Sequence, residues 1–291
     1  TWSTLTINGH RGVYNSAWIG AQVAILTSVF LTMVGFYLIK NAIDRDYHTR
    51  VGQIIAATPL SKLRYVYGKM LSNAAVLWAI VGVMIAVAGV MQVLRAEDRA
   101  IDPVALVTPF LYTMVPVALL IAGISVLFEC VPKLRGGLGN IVYFFLVMVT
   151  MSSQVFETSD LFGLAAYTDS MQNAAMAAFP DAIGPDVEMN MGIHIQGGGQ
   201  TRHLETFEWN SADYTAGMIF GRLLVIAIAF GLAGVASLAF DRFDSARATE
   251  PSQRRPSRLD RLVSRIEELL SPAPPEPAAG TISHLTPLSA T

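Results

Sequence analysis

Cysteine, charge and catalytic motifs are all scarce in this chain. Cys130 is the single cysteine among 291 residues, which excludes an intramolecular disulfide and a multi-cysteine zinc site. It reads as an inert residue near a helix end. Charged residues make up 14% of the sequence, against roughly a quarter in an ordinary soluble domain. A net charge of −2 and a pI near 6.2 supply no global basic field, so no nucleic-acid partner is expected. No Gly-x-x-x-x-Gly-Lys-Ser/Thr phosphate loop occurs, and the run Gly197-Gly198-Gly199 neither follows a strand nor precedes Lys-Ser/Thr. That run reads as a flexible loop tip. The first dozen residues, with Trp2, Asn8, His10 and Arg11, lack the basic stretch and apolar core of a signal peptide.

Apolar sequence is what the chain has in quantity. Hydrophobic residues reach 53% and mean hydropathy is +0.46, values of the membrane class. A bilayer core of roughly 30 Å takes about 20 apolar helical residues, with every backbone polar group bonded internally. Five stretches meet that length, at about 18–39, 71–94, 104–128, 138–155 and 214–240. The expected fold class is therefore all-α, a polytopic transmembrane helical bundle. Trp18, Tyr37, Tyr112, Trp209 and Tyr214 lie near span ends, where rings with an apolar body and a polar edge favour the interface. Trp78 lies deeper and reads as packing. Gly82, Gly89, Gly123, Gly231 and Gly234 fall inside spans and permit close helix approach. Pro109 and Pro116 each remove a backbone donor and should bend the third span.

Loop charge orients the spans, because Lys and Arg near membrane segments stay on the cytoplasmic side. The connection 40–70 carries Lys40, Arg45, Arg50, Lys62, Arg64 and Lys69 and reads as cytoplasmic. The next, where Arg95 and Arg99 are offset by Glu97, Asp98 and Asp102, reads as external. Lys133 and Arg135 mark the third as internal. The long loop 156–213 holds only Arg202 and reads as external. Seven arginines from Arg242 to Arg265 place the tail 241–291 inside. This alternation leaves segment 1–17 outside without visible means of export. The expectation is that a further span precedes Thr1, giving six or more helices in the complete protein. Within the tail, Leu259, Leu262, Val263, Ile266, Leu269 and Leu270 recur at helical spacing against Arg258, Arg261, Arg265 and Glu268, which predicts an amphipathic helix over 257–270. A Pro/Ala-rich linker follows, from Pro272 to Pro277 and beyond.

Loop 40–70 is the most informative segment. Its charged first half gives way to the apolar patch Val51, Ile54, Ile55 and Ala56, then to a Thr58-Pro59 break. That pattern predicts a short amphipathic helix at the membrane surface, stopped by proline. It suits either of two roles, padding for the bundle or a contact with another protein. The runs Asp44-Arg45-Asp46, then Arg50-Val51-Gly52-Gln53-Ile54-Ile55-Ala56-Ala57-Thr58-Pro59-Leu60-Ser61-Lys62, then Tyr67-Gly68-Lys69, resemble the cytoplasmic loop of ABC-2 type ABC-transporter permeases. Phe240-Asp241-Arg242-Phe243-Asp244 also resembles the exit of the final helix in one bacterial branch.

The resemblance implies a permease subunit in a bacterial inner membrane, powered by a separate ATP-binding subunit and working with a second permease half as homodimer or pseudo-dimer. Loop 40–70 would be its coupling helix, with Val51, Ile54 and Ile55 filling a groove of the ATPase. Arg45, Asp46 and Arg50 would set register at the rim. The subunit would hold no catalytic residue and no cofactor, and export is the expected direction.

Two other classes compete. A membrane-bound enzyme or accessory protein would work through loop 156–213, where Leu161 to Phe179 suggests one or two short helices on the outer face, as gate or as cover. Yet His194, His203, Glu205 and Glu208 match no compact metal-ligand spacing, so no metal site is expected. An ATP-independent carrier usually keeps an acid or a broken helix at the bilayer midplane. Here Glu129 and Arg222 lie near span ends and read as interfacial anchors. Gln22, Asn73, Gln92, Asn140 and Gln154 remain as neutral polar residues that bond across helices or line a pathway.

Overall fold

The computed structural model describes residues 2–95, 97–98, 100–152, 160–180, 189–195 and 205–240. Elements run in the order β1 (Trp2–Ile7), β2 (Arg11–Gly12), α1 (Ser16–Ile39), α2 (Ala42–His48), α3 (Val51–Ala56), α4 (Lys62–Arg95), α5 (Pro103–Cys130), α6 (Gly137–Thr150), α7 (Ala165–Ala178), β3 (Met189–Ile195), β4 (Thr206–Phe207) and α8 (Ala216–Ala239). The chain is mostly helical. By length and composition, α1, α4, α5 and α8 can each cross a membrane.

Local chemistry sets where these helices start. Asn15 accepts the Trp18 amide at 2.8 Å and opens α1. Asp102 accepts the Val104 and Ala105 amides at 2.9 and 3.1 Å, with Pro103 behind it at a position that needs no donor. Thr215 caps α8 in the same way. Helix α5 is the central element, packed against α1, α4 and α8 and buried along most of its length. It continues through Pro109 and Pro116.

The second helix begins at Lys62, well ahead of the expected 71, because Tyr65, Val66 and Met70 already bury at helical spacing beneath a charged outer face. The helix expected over 138–155 is described only as Gly137–Thr150, 14 residues long. At 1.5 Å per residue that is about 21 Å, short of a bilayer core of roughly 30 Å. Residues 153–159 lie outside the described residues, as do Gly197–Gly199, His203 and the whole tail 241–291 with its expected helix over 257–270.

The chain is also not all-α. Segment 1–17, read from sequence only as an external segment, contains β1, which pairs antiparallel with β3 from the loop before α8. Leu5, Thr6 and Ile7 of β1 are all buried. Ile7 and His10 then exchange backbone hydrogen bonds of 2.8 Å across a turn with Asn8 and Gly9 at positive φ, and β2 runs parallel to β4. Among the described residues of loop 156–213, helix α7 lies within the stretch Leu161 to Phe179 where one or two short helices were expected.

The connections gather at two ends of the bundle. At one, the Arg11 guanidinium meets Glu97 at 2.5 and 2.9 Å, and Asn15 donates to the Trp209 carbonyl at 2.9 Å. At the other, Tyr65 of α4 stacks on Phe240 beyond α8 at 5.1 Å, and Lys40 beyond α1 donates to Asn140 of α6 at 2.5 Å.

Candidate functional site

The segment between α1 and α4 folds as two short helices rather than one. They part at Arg50, which takes a left-handed backbone (φ 59°), an uncommon conformation for a residue with a side chain. Thr58 donates its hydroxyl back to the Ile55 carbonyl at 2.7 Å, and the chain leaves α3 through Pro59.

The residues singled out from the sequence divide into two sets. Facing outward are Arg45, Arg50, Val51, Gln53, Ile54, Thr58, Pro59 and Gly68, with Ile54 the most open of the apolar ones at 70% exposure. Asp44 is half-buried and sits 3.3 Å from His48, one turn along α2. Ile55 and Leu60 are half-buried and pack against the core, and Gly52 is buried. Val51 and Ile54, three residues apart on α3, share an exposed apolar face, and Leu63 is exposed at the start of α4, with the basic residues Arg50, Lys62 and Arg64 adjoining them in sequence. Covering Val51 and Ile54 with another protein would stabilise an assembly by about 1.5–3 kcal/mol each.

Asp46 is not a rim residue. It is 8% exposed and turned under α2, where its carboxylate accepts the Tyr65 hydroxyl at 2.6 Å and the Lys69 ammonium at 2.7 Å. Lys69 also donates to the Ala42 carbonyl at 3.3 Å. The Asp46, Tyr65 and Lys69 side chains thus bolt α2 to the first two turns of α4.

A second carboxylate, read from sequence as an interfacial anchor, holds the same helix from below. Glu129, in the last turn of α5, is 1% exposed. It accepts the Ile43 amide at 2.5 Å, and the amides of Asn41, Ala42 and Asp44 also face it. Those are the groups a helix start leaves without intrahelical partners, and Asn41 supplies no side-chain cap of its own. The Ser125 hydroxyl lies 3.5 Å away on the same side of α5. Arg135 closes the arrangement, donating to the Glu129 carbonyl at 2.9 Å and lying 5.0 Å over the Tyr47 ring of α2. The amides that Glu129 caps lie some 86 residues away in sequence, so local pattern carries no sign of that role.

At the opposite end, Arg222 is likewise not an interfacial anchor. It is 7% exposed and donates to the Leu161 carbonyl at 3.1 Å, to the Asp160 carbonyl and to the Asp160 carboxylate at 3.4 Å. It thereby ties the approach to α7 onto α8. Nearby, the Tyr167 and Tyr214 hydroxyls are 2.9 Å apart, and burial pushes both phenols above their ordinary range. An open cavity of about 590 Å³ at this end is lined by Asp169, Glu208, Asp213, Asn173 and Trp209 among others. Its three carboxylates are exposed, and its lining holds no histidine, lysine or cysteine. Glu205 meets His10 at 3.3 Å. Among the described residues no group of three His, Cys, Asp or Glu side chains converges on a metal-sized site.

Comparisons with family models, with curated proteins and with solved structures found no match to this chain.

Proposed function

We propose that the chain is the membrane-spanning permease subunit of an ATP-binding-cassette transporter. In this reading the α2–α3 end of the bundle faces the cytoplasm of a bacterium. Substrate crosses the membrane between two such halves, with export the favoured direction. A separate ATP-binding subunit docks on the exposed Val51, Ile54 and Leu63, and its closure drives the spans by rigid-body rocking.

One observation carries the reading. The segment 42–56 is bolted to the bundle by two buried carboxylates, yet it turns Val51 and Ile54 outward. Outward apolar side chains beside a membrane suit lipid or a protein partner, and the charged residues among them favour the partner. The basic residues Arg45, Arg50, Lys62 and Arg64 of the same loop favour an acidic rim on the partner. The carrier alternative draws no support from the spans, whose two buried ionisable residues, Glu129 and Arg222, lie at opposite ends and are committed to backbone contacts.

The test is co-purification with an ATP-binding subunit encoded beside this chain. Ile54→Asp should abolish capture while leaving thermal stability unchanged, and capture at wild-type level would overturn the docking role.

A further inference from the structure

Helix α2, the neighbour of α3, packs on the central helix α5 and also meets it through the Glu129 carboxylate. Glu129 Oε2 receives the Ile43 amide at 2.5 Å, and its side chain is almost wholly sealed from solvent. One turn further along α2, Asp46 is fixed to Tyr65 and Lys69 of α4. Helix α2 is therefore held at two points, by α5 at its start and by α4 along its inner face. Between α2 and α3 lies the left-handed Arg50. Displacement of α2 reaches α5 through the Glu129 side chain, which burial at 1% exposure and its contacts with the α2 amides hold in one position.

We propose that Glu129 is the positioning residue that transmits displacement of α2–α3 to α5, acting as a backbone acceptor at the start of α2. This rests on the functional reading above and adds to it the route by which force leaves the docking site. Helix α5 packs against α1, α4 and α8, so its displacement reaches every long helix of the bundle. The role requires an acceptor oxygen at Glu129 rather than its charge. Leucine there should sever the route, and glutamine should preserve it.

Two measurements test this. The first is hydrogen exchange on the protein alone in lipid nanodiscs. Glu129→Leu should speed exchange of the 41–44 amides by roughly tenfold or more, since each loses a buried acceptor, and Glu129→Gln should stay near wild type. The second uses the complex with its ATP-binding subunit and a Val104→Cys label site, exposed at the opposite end of α5. Cys130 is buried and should stay silent to a membrane-impermeant maleimide. Labelling of the wild type and of Glu129→Gln should change between the nucleotide-free and the ATP-trapped complex. In Glu129→Leu the subunit should still co-purify but that change should vanish. Wild-type exchange in Glu129→Leu, a labelling change that survives it, or a glutamine variant that fails as the leucine one does would each overturn the proposal. The exchange measurement needs no partner, so absence of any ATP-binding subunit would count against the functional reading and leave the acceptor role to be judged separately.

Discussion

Removing the Asp46 carboxylate should cost the bundle more stability than any change at the exposed Val51 or Ile54 of the same loop. Asp46 accepts a phenol at 2.6 Å and an ammonium at 2.7 Å, with side-chain exposures of 11% for Asp46 and 20% for Lys69. Each hydrogen bond involving a charged group contributes about 1.5–3 kcal/mol, and breaking a buried ion pair costs about 3–5 kcal/mol. The pair keeps slight solvent contact, so the lower bound is the better figure, about 3 kcal/mol for Asp46→Ala. For a chain of this size that corresponds to a fall in Tm of about 6–12 °C. Lys69→Met should cost less, because Tyr65 still donates to the carboxylate. Thermal unfolding of the two single variants and of Asp46→Ala/Lys69→Met, followed by tryptophan fluorescence in detergent, completes a double-mutant cycle. The double variant should be more stable than the sum of the singles implies by at least about 1 kcal/mol. Additivity within about 0.5 kcal/mol would refute the internal ion pair and return Asp46 to the rim position that the sequence alone suggested.

Three further outcomes follow from the geometry. Ile54→Asp should leave Tm within about 2 °C of wild type, since surface changes stay near ±0.5 kcal/mol, whereas Ile55→Asp should lower it, because Ile55 packs against the core; equal effects in a thermal scan would contradict the assigned facing. Gly163 has φ of +73°, and a Cβ there would lie 2.7 Å from Arg222 Nη1 and 3.0 Å from Tyr112 Cε1. Gly163→Ala should therefore destabilise by about 1–3 kcal/mol, and an unchanged unfolding curve would show that 160–164 is not clamped by Arg222. Hydrogen bonds from Arg11 hold the Glu97 carboxyl below its ordinary range. Its folded value is depressed, so its contribution is present at neutral pH and is lost as pH falls through that lowered value. Thermal scans from about pH 7 down to about pH 3 should show a shallower acid-side loss in Glu97→Gln than in wild type, and parallel curves would exclude the pair as a contributor.

Much of the helical frame was legible because length and polarity alone define a span. The expected 18–39, 104–128 and 214–240 fall within two residues of Ser16–Ile39, Pro103–Cys130 and Ala216–Ala239 at each end. Where charge and helix coincide, that criterion fails. Lys62, Arg64 and Lys69 made the start of α4 look like loop, although Tyr65, Val66 and Met70 already carried the helical period. The β1 strand was legible in principle from the alternation ending at Leu5 and Ile7, but a two-stranded pairing with β3, far along the chain, has no local signature. Loop 40–70 shows the same division. Its apolar and basic residues were visible, and their exposure follows from helical spacing. The inward turn of Asp46 and the seat of Glu129 were not, because each depends on a partner from another element, Glu129 on backbone amides some 86 residues away.

The most direct measurement places a photo-reactive benzoylphenylalanine at Ile54 and identifies the adduct formed in native membranes by mass spectrometry. The docking reading predicts a cross-link to a chain carrying a phosphate-loop nucleotide-binding motif, lost when Val51→Asp is added. Adducts confined to lipid or to this chain itself would contradict it.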